Sequence, residues 1–226
     1  MSLLNLDQLN SLRPDGGIDL EKYFHSMTDL SPKQQKERIE LAKKIEAEVI
    51  WFLTLMSLRI EYDDIEGIEE IKRQFINEYT DIIQDYINDP MFEDLYPEQL
   101  ADELASETRK LEALEKTAVE LAEADSDSTR KNNLRSSITA VNEAQTVLNR
   151  ADFKTAKAKG YSRKTWVSEH DNRVRPTHQI VDGTTIPIDE FFEVGKARLL
   201  YPHDWLNGSA NPEELINCRC VIRYVR

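Results

Sequence analysis

The chain has 226 residues, 40% hydrophobic and 31% charged, with only seven glycines and eight prolines. That composition is too apolar for a disordered chain and too poor in turn residues for a sandwich or barrel, so long helices in one or two domains are expected. Asp and Glu outnumber Lys and Arg 42 to 29, a net charge of −13, which argues against a wrapper of duplex DNA, whose affinity rests on cations against phosphates.

The first residues show no basic leader followed by an apolar stretch, so no signal peptide is expected. Ser31-Pro32 reads as a helix N-cap with proline at the first helical position. Ile39, Leu41, Ala42, Ile45, Val49, Ile50, Phe52 and Leu53 then recur at helical spacing. Residues 49–60 are apolar at nine of twelve positions, which predicts a helix buried on more than one side. The run is well short of the roughly 20 residues that cross a bilayer, so no membrane association is expected.

A second helix is expected from about Ile65 to Ile87, with Ile68, Ile71, Phe75, Ile76, Tyr79, Ile82, Ile83 and Tyr86 on one face. Asn88-Asp89-Pro90 stops it. Pro97 opens a long helix to Glu123 carrying Leu100, Leu104, Leu111, Leu114, Ala118 and Leu121. A polar break follows, and Ser126, Asp127 or Ser128 caps a last helix that reaches Lys159 with Leu134, Ile138, Val141, Ala144, Leu148 and Ala151 on one face.

Composition changes near Gly160. Residues 161–226 hold nine basic and nine acidic side chains, so residues 1–160 carry the whole −13. Four of the seven glycines, three of the four histidines and both cysteines lie at or after Gly160. The expected fold class is therefore a mainly α N-terminal domain, residues 1–160, and a small C-terminal α+β module, residues 161–226. In the module, 164–168, 184–188 and 221–225 read as strands, 176–181 as a short helix or turn, and Asp182-Gly183 as a tight turn.

The module's residues also carry a pattern. Gly160-Tyr161 and Lys164-Thr-Trp166 are followed by Asp171, Arg175 and His178, then Asp182-Gly183, Phe191, Pro202-His-Asp204 and Asn217-Cys218-Arg219-Cys220. This order, over about 60 residues, resembles the C-terminal module of the phage Mu F-like minor head proteins, the head morphogenesis family. That family often has Arg-Thr-Glu on the preceding helix, where this chain has Arg150-Ala-Asp152. The resemblance implies a non-enzymatic, capsid-associated protein of a tailed phage, acting beside the portal in head assembly or DNA delivery. It implies residence in the virion, and in the host cytoplasm during assembly. Relatives fused to toxin domains occur; this chain stops six residues after Cys220, so no such fusion is expected.

The chemistry of the module leaves alternatives open. Cys218 and Cys220 are too close in sequence for a good disulfide. With His178, and with Asp171, His170 or His203 as further candidates, they have the donor types of a zinc site. The plainer alternative is two buried thiols beside a hydrogen-bonded histidine, with no cofactor. The same residue types allow a thiol nucleophile with His178 as base and Asp171 as orienter, hence the competing reading of a thiol- or metal-dependent enzyme or toxin-like effector. No cysteine-hydrolase signature or phosphate loop surrounds them, and catalysis is not expected. Arg173, Arg175 and Arg219 are expected to pair with Asp171, Asp182 and Asp204. Lys154, Lys157, Lys159, Arg163 and Lys164 form a run free of acids, either a solvated helix end or a weak contact to DNA or an acidic partner. Finally, a module of about 65 residues must use both ends to bury enough surface, so the last strand should pair near the first and the terminal motif should pack on Trp166 and residues 171–178.

Overall fold

Ser31 shows why the long helices begin where they do. Its hydroxyl accepts from the Gln34 N–H at 3.3 Å, and the Gln34 side-chain oxygen accepts from the Ser31 N–H at 3.1 Å, a reciprocal capping box ahead of Pro32. Asp64 opens the next helix as a simple N-cap, accepting from the Gly67 N–H at 3.0 Å. The computed structural model describes residues 12–87, 108–123 and 128–226. The described helices are α1 (Leu20–His25), α2 (Pro32–Glu61), α3 (Ile65–Ile87), α4 (Thr108–Ala122), α5 (Ser128–Ala158), α6 (Pro176–Val181) and α7 (Pro212–Leu215). The strands are β1 (Arg163–Val167), β2 (Thr185–Pro187), β3 (Phe192–Val194), β4 (Ala197–Leu199) and β5 (Val221–Val225). The chain is thus mainly helical toward its N-terminus with a small antiparallel β region at its C-terminus. The stop at Asn88-Asp89-Pro90, the start at Pro97 with Leu100 and Leu104, and the caps at Ser126 and Asp127 lie outside the described residues.

The chain divides into two compact units, Met1–Tyr23 with Ile39–Ala140, and Phe24–Arg38 with Val141–Arg226. Their limits fall within α1, α2 and α5 rather than at the composition change near Gly160. The second unit therefore contains helical residues 24–38 and 141–158 as well as the β region.

In the first unit, α3 buries Ile71, Phe75, Tyr79 and Ile83 at a strict four-residue spacing, with Ile68, Ile76 and Ile82 half-buried. The Phe75 ring stands 4.5 Å from Phe52 of α2 and 5.7 Å from Tyr79. Each such side chain contributes about 1.5–3 kcal/mol on burial. On α2, Val49, Phe52, Leu53 and Met56 are buried, but Trp51 and Leu55 are half-buried and Leu58 is 43% exposed. The apolar run is therefore covered on one side and partly on its flanks, not all round. Arg13 closes this unit with two hydrogen bonds to the Glu46 carboxylate, 2.8 and 2.9 Å.

Burial on every side occurs instead on α5, where residues 140–151 are all buried. The one-sided pattern expected there holds for Val141, Ala144, Leu148 and Ala151, whereas Leu134 and Ile138 are half-buried. The other faces bury polar side chains that have partners. Arg38 donates to Gln145 at 2.7 Å and to Asn149 at 3.0 Å, and Asn149 in turn donates to the Pro202 carbonyl at 2.9 Å. Satisfied polar groups can be buried at little cost, and a hydrophobic pattern does not reveal them.

In the second unit β1 is the centre of a three-stranded antiparallel sheet, order β2-β1-β5. Trp166 pairs with Ile222 and Val167 with Val221, so the last strand lies beside the first as expected. Pro187 sits in the edge strand β2, where a missing donor is tolerated. A separate hairpin joins β3 and β4. These three-residue strands and the four-residue α7 are too short to carry a readable period in the sequence.

Candidate functional site

Three side chains converge beneath the sheet. Trp166, wholly buried on β1, forms a core with Phe192, Val194, Leu199 and Leu215, and Cys218 and Cys220 belong to the same cluster. Placing the thiols there requires the chain to turn sharply between α7 and β5. Asn217 makes that turn in the left-handed region, φ 58°, and its N–H donates to Asn142 Oδ1 at 2.7 Å. His178, on the short helix α6, stands edge-on to the Trp166 ring at 5.7 Å between centroids. Its Nδ1 lies 3.3 Å from Cys220 Sγ and 3.5 Å from Cys218 Sγ.

The ring's other nitrogen faces an acid. His178 Nε2 is 3.2 Å from Glu214 Oε2, which also accepts from the Thr177 hydroxyl at 2.8 Å. Glu214 is only 7% exposed. It fits because residue 195 is glycine: a Cβ there would lie 2.1 Å from Glu214 Oε1, and the φ of 57° independently favours glycine. His203, fully enclosed, places Nε2 2.8 Å from the Cys218 carbonyl oxygen.

The electrostatics follow from this packing. Burial raises the Cys218 thiol, but the hydrogen bond from Cys220 and the adjacent His178 outweigh it and bring Cys218 well below the usual thiol range. Cys220, donating to Cys218 and buried, is pushed well above it. Burial works against a charged His178, yet its contact with Cys218 raises it overall. Of the two thiols, Cys218 is thus the one whose deprotonation its surroundings favour, with the His178 ring beside it.

Beside the trio, Asp171 takes both its carboxylate oxygens to Arg219 Nη2 at 2.7 Å, and Arg173 adds a bond at 2.9 Å. The matching region of a known family decides what this module is. The model of the phage Mu protein F like family covers residues 98–223, more than half of the chain. The chain belongs to the phage Mu F-like family. This is a family of phage head morphogenesis proteins. No curated protein and no solved structure matches the chain.

Most of the Mu F-like motif is built into this module. Trp166, His178, Cys218 and Cys220 share the buried core, while Asp171 is engaged by arginines and stands outside the trio. The acid beside His178 is Glu214, which the sequence did not single out; its one signal was Asn211-Pro212, the cap and first residue of α7. Of the expected ion pairs, Asp171 joins Arg173 and Arg219, but Arg175 donates to the Ile216 carbonyl. Asp182 accepts from the Ser168 N–H at 2.7 Å, and Gly183, φ 71°, turns the chain beside it. Asp204 ties its own loop by accepting from the N–H groups of Leu200 and Asn207 at 2.9 Å.

In the basic run, Lys164 is wholly buried, donating to the Ile188 carbonyl at 2.7 Å with the Phe153 ring 5.0 Å away. Lys157, Lys159 and Arg163 face solvent, and Lys157 pairs with Asp189. A larger open concavity, about 390 Å3, borders Arg38, Asp152, Arg223 and Tyr224. Two ion pairs lie along it, Arg38 with Asp152 and Arg223 with Asp29, each at 3.3 Å. Among the described residues no helix is long and apolar enough to cross a membrane.

Proposed function

We propose that this Mu F-like protein is a non-enzymatic minor head protein of a tailed phage, acting beside the portal during head morphogenesis and carried in the virion. The observation that supports this reading best is the extent of the family match, which runs from before α4 into β5 and takes in helix, sheet and motif together. On this reading residues 141–226, the buried polar part of α5 and the cross-tied module, form the docking body. Its partners are the portal and other head proteins, met in the host cytoplasm during assembly. The net charge of −13 makes any DNA contact local, through Lys157, Lys159 and Arg163, and secondary to protein contacts.

The competing reading is a thiol enzyme, since His178 lies between Cys218 and Glu214 as a base lies between nucleophile and orienter. Access weighs against it. Both thiols are at most 3% exposed, and the void beside them measures about 20 Å3, against the roughly 300 Å3 of a small-molecule site. The test is a phage lacking this chain, assayed for head yield, packaged DNA and infectivity, with crosslinking of the restored protein to the portal. Aberrant or non-infectious heads and a portal crosslink are expected. Normal heads of full infectivity would overturn the proposal.

A further inference from the structure

We propose that His178, Cys218 and Cys220 form a zinc site that staples α6 to the segment entering β5. The inference is independent of the head-assembly reading, because it rests on donor geometry alone. The three donor atoms lie within 4.8 Å of one another, all in buried residues. A tetrahedral zinc with bonds of about 2.3 Å to sulfur and 2.0 Å to nitrogen separates those donors by roughly 3.5 Å. His178 Nδ1 stands 3.3 and 3.5 Å from the two sulfurs. Both nitrogen–sulfur separations thus already match the tetrahedral value to within about 0.2 Å.

Three further features fit a metal. On the far side of the imidazole, the Glu214 carboxylate sits 3.2 Å from Nε2, an ion-pair contact short of a formed hydrogen bond, on the side where a carboxylate supports a metal-bound histidine. The Thr177 hydroxyl donates to that carboxylate, and Gly195 leaves the room it occupies. The void of about 20 Å3, bordered by all three donors, has room for one water as fourth ligand. Two thiolates cancel the charge of the dication, so a buried neutral unit results and no carboxylate is needed in the first coordination sphere. Thiolate and imidazole together select zinc over magnesium, calcium or manganese.

The test uses the full chain purified without chelator. Elemental analysis should find close to one zinc per chain, and the double variant Cys218→Ser/Cys220→Ser should hold at least about tenfold less. Glu214→Gln, which keeps all three donors, should bind zinc about 10–100-fold more weakly. Cobalt(II) added to the chelator-stripped wild-type chain should give visible bands of a tetrahedral site and near-ultraviolet thiolate-to-cobalt absorption, both lost when zinc is added. That titration needs no variant and so does not depend on whether the cysteine variants fold. The proposal is overturned if a chain shown folded by circular dichroism carries little zinc and develops no cobalt bands. Zinc retained at full stoichiometry by a folded double variant would overturn it equally.

Discussion

Arg219 reaches both oxygens of Asp171 from one nitrogen, 2.7 Å to each, and so ties the terminal Asn-Cys-Arg-Cys motif to the loop that leads into α6. The pair joins residues 48 positions apart in the chain, closing the module from its two ends. Partial burial alone would raise the Asp171 carboxyl, but the bonds from Arg219 and Arg173 outweigh it and hold it below the usual range.

Arg219→Met should therefore cost about 1–2 kcal/mol at neutral pH, a value held down by the solvent that still reaches Asp171. A carboxylate depressed by folding stabilises fully above its unfolded value, about pH 3.9, and loses that contribution as pH falls through the lower folded value. The gap between wild type and Arg219→Met should thus be constant from neutral pH down to about pH 4 and close below it. Urea denaturation across that range measures it; a gap that persists unchanged in acid would mean that Arg219 acts through packing alone.

Lys164 gives the opposite pH signature. Burial brings its ammonium down to about 8. An unfolded lysine titrates near 10.4, so between about pH 8 and 10.4 the unfolded chain binds the proton that the folded chain releases. Stability from this group accordingly rises with pH across that window. Relative to Lys164→Met, the wild type should gain ground between pH 7.5 and 10 in chemical denaturation, and an unchanging difference would place the ammonium in contact with solvent.

Two glycines separate backbone strain from steric conflict. Gly183 and Gly195 share a left-handed φ, 71° and 57°, but a Cβ on Gly183 meets nothing within 4 Å while one on Gly195 strikes Glu214. Gly183→Ala should cost about 1 kcal/mol, the strain alone. Gly195→Ala should cost clearly more, about 2–4 kcal/mol, because Glu214 must also leave its buried place. Equal losses would show that Glu214 moves aside freely.

At the other end of the second unit, Ser31→Ala removes the acceptor of the capping box and should cost about 1 kcal/mol, whereas Ser31→Asp should keep most of the stability. Thermal melts of the two variants decide this; identical losses would mean that the cap adds nothing beyond the packing of α2.

Much of this architecture was written in local signals. Ser31-Pro32 marks the start of α2, the four-residue spacing of Ile71, Phe75, Tyr79 and Ile83 defines the face of α3, and the alternation at 221–225 marks β5. The motif residues Trp166, His178, Cys218 and Cys220 could be named from their order, and the fold brings them together. Other features lay beyond such signals. Glu214 meets His178 only because α7 and a glycine at 195 place it there, a relation between segments and not a local pattern. Burial of α5 on all sides depends on partners such as Arg38, more than a hundred residues away in sequence. Lys164 reads as part of a solvated basic run because nothing local announces that its ammonium will meet the Ile188 carbonyl.

The central claim is that this chain is built into phage heads. Quantitative peptide mass spectrometry of purified proheads and virions, from the phage genome that encodes it, tests that most directly. The account predicts peptides of this chain in both particles, at a few copies per head and in fixed ratio to the portal. Their absence from both particles, with the protein present in the same lysate, would contradict it.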